Sequence, residues 1–211
     1  MEKLLINQNS QLAIAGNIGA GKTTMTEKLS KFFNLNPIYE SVDDNPYLSD
    51  FYGDMERWSF NLQIYFLQHR FRHHIELMNS EVGVIQDRTI YEDVSIFAYN
   101  LYQMKTMSKR DWETYKTLFD NMTQFLKKPD LIIYLKASTD TLISRINNRK
   151  RDFEKEISSE YIHSLNIYYN QWISKIPQNR VLIIDTNNFN IFKDHEKFLE
   201  IQKNIVDKLS K

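Results

Sequence analysis

The chain has 211 residues, 42% of them hydrophobic and 13% aromatic, enough apolar side chain for one sizeable core, so a single domain over 1–211 is expected. Its 27 basic residues balance 27 acidic ones, leaving no overall field to gather a nucleic-acid polymer, and a mean hydropathy of −0.52 with only short apolar runs predicts no membrane segment. The lack of cysteine removes disulfides, thiolate zinc sites and cysteine nucleophiles, and with no secretory pattern at the start a cytoplasmic location is expected.

Short apolar runs alternate with longer segments of helical period, the pattern of an α/β chain built on a parallel sheet in three layers with right-handed crossovers. The first run, LAIAG over 12–16, reads as a strand and leads into GNIGAGKTT, which satisfies G-x-x-x-x-G-K-[ST]. A helix over 22–33 follows, so the motif stands in the strand-loop-helix context its chemistry requires. Over 16–24, Gly16, Asn17, Gly19, Ala20, Gly21, Lys22, Thr23 and Thr24 form a candidate phosphate cradle for ATP. Three of the chain's five glycines fall here, where backbone must approach phosphate closely; Lys22 neutralises phosphate oxygens and Thr23 offers a hydroxyl to Mg²⁺.

A second strand over 37–40 ends at Glu40, followed by the acidic, turn-rich run SVDDNPYL. The charge here discriminates between acceptors. A phosphomonoester would be repelled by Glu40, Asp43 and Asp44, whereas a hydroxyl must lose a proton during attack and a nearby carboxylate can take it. The bland reading of Glu40 is a solvated loop acid. The next helix, over 55–79, carries Phe60, Gln63, Phe66, Leu67 and Arg70 on one stripe, setting an amide and a guanidinium into an apolar face. The amide can offer both a donor and an acceptor to a nucleobase edge; backbone carbonyls satisfying both side chains is the alternative.

A third strand over 82–86 is followed by Asp87 and Arg88, a candidate Mg²⁺-orienting acid and a candidate holder of the acceptor oxygen, or else a plain strand-end ion pair. In the helix predicted over 92–104, Asp93 and Phe97 offer Arg70 a counter-ion and a base a stacking surface. A helix over 109–126, a strand over 131–135 and a helix over 138–149 lead to Arg145, Arg149 and Arg151, a lid over about 145–156 or a solvated basic helix end. A helix over 159–175, a strand over 181–185 and a helix over 191–209 complete the chain. The five histidines show no metal-ligand spacing, and no N-K-x-D guanine motif occurs. At this level a nucleoside kinase, a thymidylate-type nucleoside monophosphate kinase and a non-catalytic ATP-sensing module all remain open.

Taken in order, GNIGAGKTT, a Glu ending strand two, ERWSFNLQ with a Tyr eleven residues before the Gln, DRTIYED followed by Phe97, the R-x-x-x-R-x-R segment and VLIIDTNNF resemble the deoxyribonucleoside kinase family nearly end to end. The resemblance implies a P-loop kinase fold with a five-stranded parallel sheet flanked by helices, ATP and Mg²⁺ as cofactors, a small-molecule nucleoside as acceptor, and a homodimer. It implies Glu40 as general base, Arg88 on the sugar 5′-oxygen, Gln63 reading the base with Arg70 and Asp93 beside it, Phe97 stacking, and Tyr52 with Glu154 on the 3′-hydroxyl. Arg145, Arg149 and Arg151 would form the lid, with Arg145, Asp185, Thr186 and Asn187 near the donor adenine. In the acid-arginine pair the family often carries Glu where Asp87 stands, which leaves direct or water-mediated contact with Mg²⁺ open. The DNPYL segment resembles the bacterial purine-preferring members and points to deoxyadenosine, with deoxyguanosine and deoxycytidine next.

Overall fold

The computed structural model describes residues 6–39, 45–78, 82–151, 154 and 156–210. Five parallel strands form one sheet in the order β2 (Asn36–Ile38), β3 (Val84–Asp87), β1 (Gln11–Ala15), β4 (Leu131–Lys136) and β5 (Val181–Asp185), flanked by helices in an α/β arrangement. The central strands are apolar because both their faces are covered: Ala13, Ile14, Ala15, Ile85, Leu131 and Ile133 are fully buried. The register sets Ile14 beside Asp87 and Ala15 beside Tyr134, so the ends of β1, β3 and β4 reach the same edge of the sheet. Ligands of open parallel sheets gather at that carboxyl edge.

The helices are α1 (Lys22–Phe33), α2 (Leu48–Gly53), α3 (Met55–Met78), α4 (Ile90–Glu92), α5 (Tyr99–Gln103), α6 (Lys109–Thr123), α7 (Thr139–Arg149), α8 (Ser159–Ser174) and α9 (His195–Leu209), counted among the described residues. Ser108, Ser138 and Ser158 cap α6, α7 and α8, each hydroxyl accepting a backbone N–H of the first turn.

Several elements differ from the sequence expectation. The third strand begins at Val84 rather than 82, because the N–H of Gly83 bonds to Gln8 outside β1; a Cβ at Gly83 would stand 2.5 Å from that same carbonyl oxygen. It also continues one residue further, so Asp87 belongs to the ladder opposite Ile14. The helix expected over 92–104 starts at Ile90, where Thr89 and Glu92 form a reciprocal capping box, then widens into a π-helical segment at Asp93–Ala98 before closing as α5. The short α2 begins at the last residue of the run read as turn-rich and continues where no element is expected, and its amphipathic spacing buries Leu48 and Phe51. The last helix starts at His195 instead of 191, because Asn190 and Asp194 bond each other's chain in a turn: Asn190 N to Asp194 Oδ2 at 2.6 Å and Asp194 N to Asn190 O at 2.9 Å.

Candidate active site

At the end of β1 the chain turns through the phosphate loop with Gly19 at φ +82° and Gly21 at φ +93°, both left-handed. A Cβ at Gly19 would also meet the Leu142 carbonyl oxygen at 3.0 Å, so glycine there answers both a conformational and a steric demand. Gly21 opens α1, whose first N–H groups and positive end face the loop. Asn17 pins the loop to α8: its Nδ2 donates to Ile162 O at 3.0 Å and to Asn166 Oδ1 at 2.8 Å. Lys22 is 8% exposed and donates from Nζ to Asn17 O at 3.1 Å.

Thr23 donates from Oγ1 to Asp87 Oδ2 at 2.6 Å, and the other carboxylate oxygen of Asp87 is buried with no hydrogen-bond partner among the described residues. A hydroxyl beside a carboxylate with an unused oxygen is the hard-oxygen donor set that suits Mg²⁺. The next residue, Arg88, sits at φ +70°. Its N–H donates to Ile14 O at 3.0 Å, its Nη1 donates to Tyr169 OH at 2.9 Å, and its guanidinium lies 4.2 Å from the Phe97 ring centre.

A cavity of about 290 Å³ runs from this edge toward α3. Gly19, Lys22, Thr23, Asp87 and Arg88 line one end; Gln63, Arg70, Asp93 and Phe97 line the other; Tyr39, Tyr52, Arg149, Arg151 and Glu154 complete its walls. Its size stands at the lower end of small-molecule sites. Gln63 is 2% exposed, and its amide oxygen has no hydrogen-bond partner among the described residues. Arg70 and Asp93 form a buried ion pair, Nε to Oδ2 at 2.5 Å, so the deep end carries two charged groups that balance. Glu154 is almost fully buried and receives Arg149 through two donors, Nε to Oε2 at 2.6 Å and Nη2 to Oε1, with Arg151 3.8 Å from Oε1.

Glu40, expected at the rim of this cavity, lies outside the described residues, as do Asp43 and Asp44; Tyr39 immediately before them lines the wall. Arg145 stands apart from Arg149 and Arg151. It donates to the carbonyl and hydroxyl oxygens of Thr186 and lines a second recess of about 210 Å³ with Ala20, Gly21, Thr24, Thr186 and Phe189. Asp185 and Asn187 do not line that recess. Asp185 accepts from Asn187 N at 2.9 Å and Nδ2 at 3.0 Å, while Asn187 Oδ1 accepts from Ser138 N at 2.8 Å, tying the end of β5 to the cap of α7.

The sequence profile of the family described as Deoxynucleoside kinase matches residues 12–210. The chain belongs to this family. Over 212 residues it is 38% identical to the deoxyadenosine/deoxycytidine kinase of Bacillus subtilis (strain 168), covering 100% of this chain and 96% of that one. Over 196 residues it is 40% identical to the deoxyadenosine kinase of Dictyostelium discoideum, covering 93% and 79%. A solved structure of deoxyadenosine kinase from M. mycoides with bound dATP superposes with a TM-score of 0.81 at 31% identity, covering 92% of this chain and 99% of that one. Of the three readings open at the sequence level, the match is to an enzyme, a nucleoside kinase, and not to a monophosphate kinase or a sensor.

Two buried residues of this kinase escaped the sequence reading. Tyr169, on α8, is fully buried and touches Arg88, Gly16 and Glu92; Glu92 is equally buried and accepts from Gly16 N. The only local signal was the Thr-x-x-Glu spacing of Thr89 and Glu92, which announces a helix cap and nothing about a phosphate loop 76 residues away. Burial holds the Tyr169 phenol well above its ordinary pKa, with Arg88 opposing that shift and Glu92 adding to it. Tyr161, which lines the cavity, is likewise raised by burial.

Proposed function

We propose that this kinase moves the γ-phosphoryl group of ATP to the 5′-hydroxyl of deoxyadenosine, with deoxyguanosine and deoxycytidine as further acceptors. The observation that carries the reading is the single cavity that joins Lys22 and Thr23 of the phosphate loop to Gln63 and the Arg70–Asp93 pair. Its two ends suit opposite demands. The loop end offers backbone N–H groups and a lysine for phosphate; the deep end offers an amide with an unused acceptor, and an ion pair that leaves little net charge to repel a neutral base.

In this reading the loop residues Gly16, Asn17, Gly19, Ala20, Gly21, Lys22, Thr23 and Thr24 hold the donor phosphates, and Thr186, Asp185, Asn187 and Arg145 frame the donor adenine. Gln63, with Arg70 and Asp93, reads the acceptor base; Phe97 stacks on it; Tyr52 and Glu154 take the 3′-hydroxyl. Glu40 removes the 5′-hydroxyl proton as the bond to phosphorus forms. Arg88 holds the attacking oxygen in line, and Arg149 and Arg151 neutralise charge that develops on the transferring group. Thr23 and Asp87 are the residues that would hold Mg²⁺, which supplies charge neutralisation on the phosphate oxygens.

The preference for deoxyadenosine is supported by the names of the two kinases and the solved structure above. A single kinase domain is assigned, with the phosphate loop at 16–24 and the lid over about 145–156. A half-buried aromatic patch on α5, α6 and α8, with Tyr102 stacked on Trp112 at 5.6 Å and Tyr99 edge-on to Tyr168 at 5.2 Å, supports a homodimer through this face. Among the described residues no helix is long and apolar enough to cross a membrane. Work in the cytoplasm is assigned because the ATP donor is a cytoplasmic solute. A panel of deoxynucleosides and deoxynucleotides with ATP and Mg²⁺ tests the assignment. Transfer fastest to deoxyadenosine is expected; transfer only to monophosphates would overturn it.

A further inference from the structure

Two buried titratable side chains that do not line the cavity, Tyr169 and Glu92, bond to each other and to Gly16, and Tyr169 also meets Arg88. The Tyr169 hydroxyl stands 2.9 Å from Arg88 Nη1, 2.8 Å from Gly16 O and 2.9 Å from Glu92 Oε1. Glu92 Oε1 also accepts from Gly16 N at 3.3 Å, while its Oε2 accepts from Thr89 N at 2.8 Å. Gly16 opens the phosphate loop. Its N–H is therefore held by a carboxylate and its carbonyl by a phenol, and these two also hold each other.

We propose that Tyr169 is a positioning residue whose hydroxyl, fixed by Glu92, sets the Arg88 guanidinium against the first peptide of the phosphate loop. The donor cradle and the acceptor's arginine then share one anchor before either substrate binds. The inference rests on the assignment of Arg88 to the 5′-oxygen and goes beyond it by naming what holds Arg88.

Three observations favour positioning over mere core filling. Arg88 is a non-glycine residue in the left-handed region, a conformation that persists only where its surroundings impose it. Those surroundings include a backbone bond to Ile14, the Phe97 ring and the Tyr169 oxygen, and the Tyr169 oxygen also touches the phosphate loop. The phenol has one proton for two acceptors, Gly16 O and Glu92 Oε1, while it accepts from Arg88, so its oxygen is committed on every side. Burial keeps it protonated, which preserves that division of donors and acceptors. Finally, the Tyr169 ring stacks on Tyr134 at 5.6 Å and 14°, so the ring alone already meets the packing need and the hydroxyl is an addition to it. Small misplacements of an aligning group cost large factors in rate.

The test uses the full chain and four proteins: wild type, Tyr169→Phe, Arg88→Lys and the double variant. Tyr169→Phe is expected to lower kcat by about 10- to 100-fold while KM for ATP changes less than about threefold. In the Arg88→Lys background the same change is expected to have almost no further effect, because the group it positions is gone. Additive losses, or an unchanged kcat in Tyr169→Phe, would overturn the inference while leaving the assignment of Arg88 standing. Normal turnover of Arg88→Lys, or a wild type that phosphorylates no nucleoside, would instead overturn that assignment and the inference with it. If Tyr169→Phe does not fold, Glu92→Gln replaces it. Gln places an amide NH₂ against donors now served by a carboxylate, and its loss of kcat must likewise vanish in the Arg88→Lys background, additivity again overturning the proposal.

Discussion

Thr23 and Asp87 are joined by a 2.6 Å hydrogen bond, Oγ1 to Oδ2, that ties the first turn of α1 to the end of β3. The two meet because β1 and β3 are neighbours in the sheet with Ile14 opposite Asp87, so the helix that leaves β1 through the phosphate loop starts beside the last residue of β3. The pair presents a hydroxyl and a carboxylate whose other oxygen is unused among the described residues. Chelation of Mg²⁺ is therefore expected to abolish transfer, and Asp87→Asn to raise the Mg²⁺ concentration for half-maximal activity by about tenfold or more. Superimposable Mg²⁺ titrations of the two proteins would remove Asp87 from the metal site.

Gln63 lies at the deep end of the cavity, with a buried amide oxygen lacking a hydrogen-bond partner among the described residues. If a nucleobase supplies the partner, Gln63→Ala raises KM for deoxyadenosine by about 10- to 100-fold, the equivalent of about 1.4 to 2.8 kcal/mol, and leaves KM for ATP within about threefold. Equal changes in both constants would place the base elsewhere.

Arg70 and Asp93 make a buried ion pair across α3 and the π-helical segment. Asp93→Ala, which removes the carboxylate facing a buried guanidinium, is expected to cost about 3–5 kcal/mol in chemical denaturation. Replacing both by apolar residues, Arg70→Met with Asp93→Leu, is expected to recover much of that stability but not deoxyadenosine binding. Recovery of both would make the pair purely structural.

The sheet and the phosphate loop were legible because their signals are local: apolar runs buried on two faces, and glycines at a fixed spacing after a strand. The Gln63 and Arg70 stripe was legible too, since helical period alone puts them on one side of α3. Tyr169 was not, since its partners Gly16 and Arg88 lie 153 and 81 residues away and a tyrosine in an amphipathic helix has the look of ordinary core. The helix near Asp93 was misjudged in form because a π-helical turn inserts into the 3.6-residue period without any mark in composition. The arginine cluster reads as one lid with Arg145 also near Asp185 to Asn187; Arg145 donates to Thr186, while Arg149 and Arg151 meet Glu154.

His74 is buried on α3, where its Nε2 is 2.8 Å from the Lys127 carbonyl oxygen and therefore donates to it. Burial outweighs that bond and pulls the imidazole below its ordinary value of 6.5. The unfolded chain thus takes up a proton that the folded protein refuses. Stability from this group is complete above about 6.5 and is lost as pH falls from there toward the lowered folded value. His69 and His73 shift in the same direction. The thermal midpoint is expected to drop between pH 7 and pH 5, and to drop less in His74→Gln. An equal drop in both proteins would contradict a neutral, buried His74.

The acceptor chemistry rests on Glu40, which follows the cavity residue Tyr39 and lies outside the described residues. Single-turnover phosphorylation of deoxyadenosine by Glu40→Gln, compared with wild type, tests it most directly. The account predicts a rate lower by about 10²- to 10⁴-fold, with ATP binding and thermal midpoint unchanged. A rate within a few-fold of wild type would contradict it.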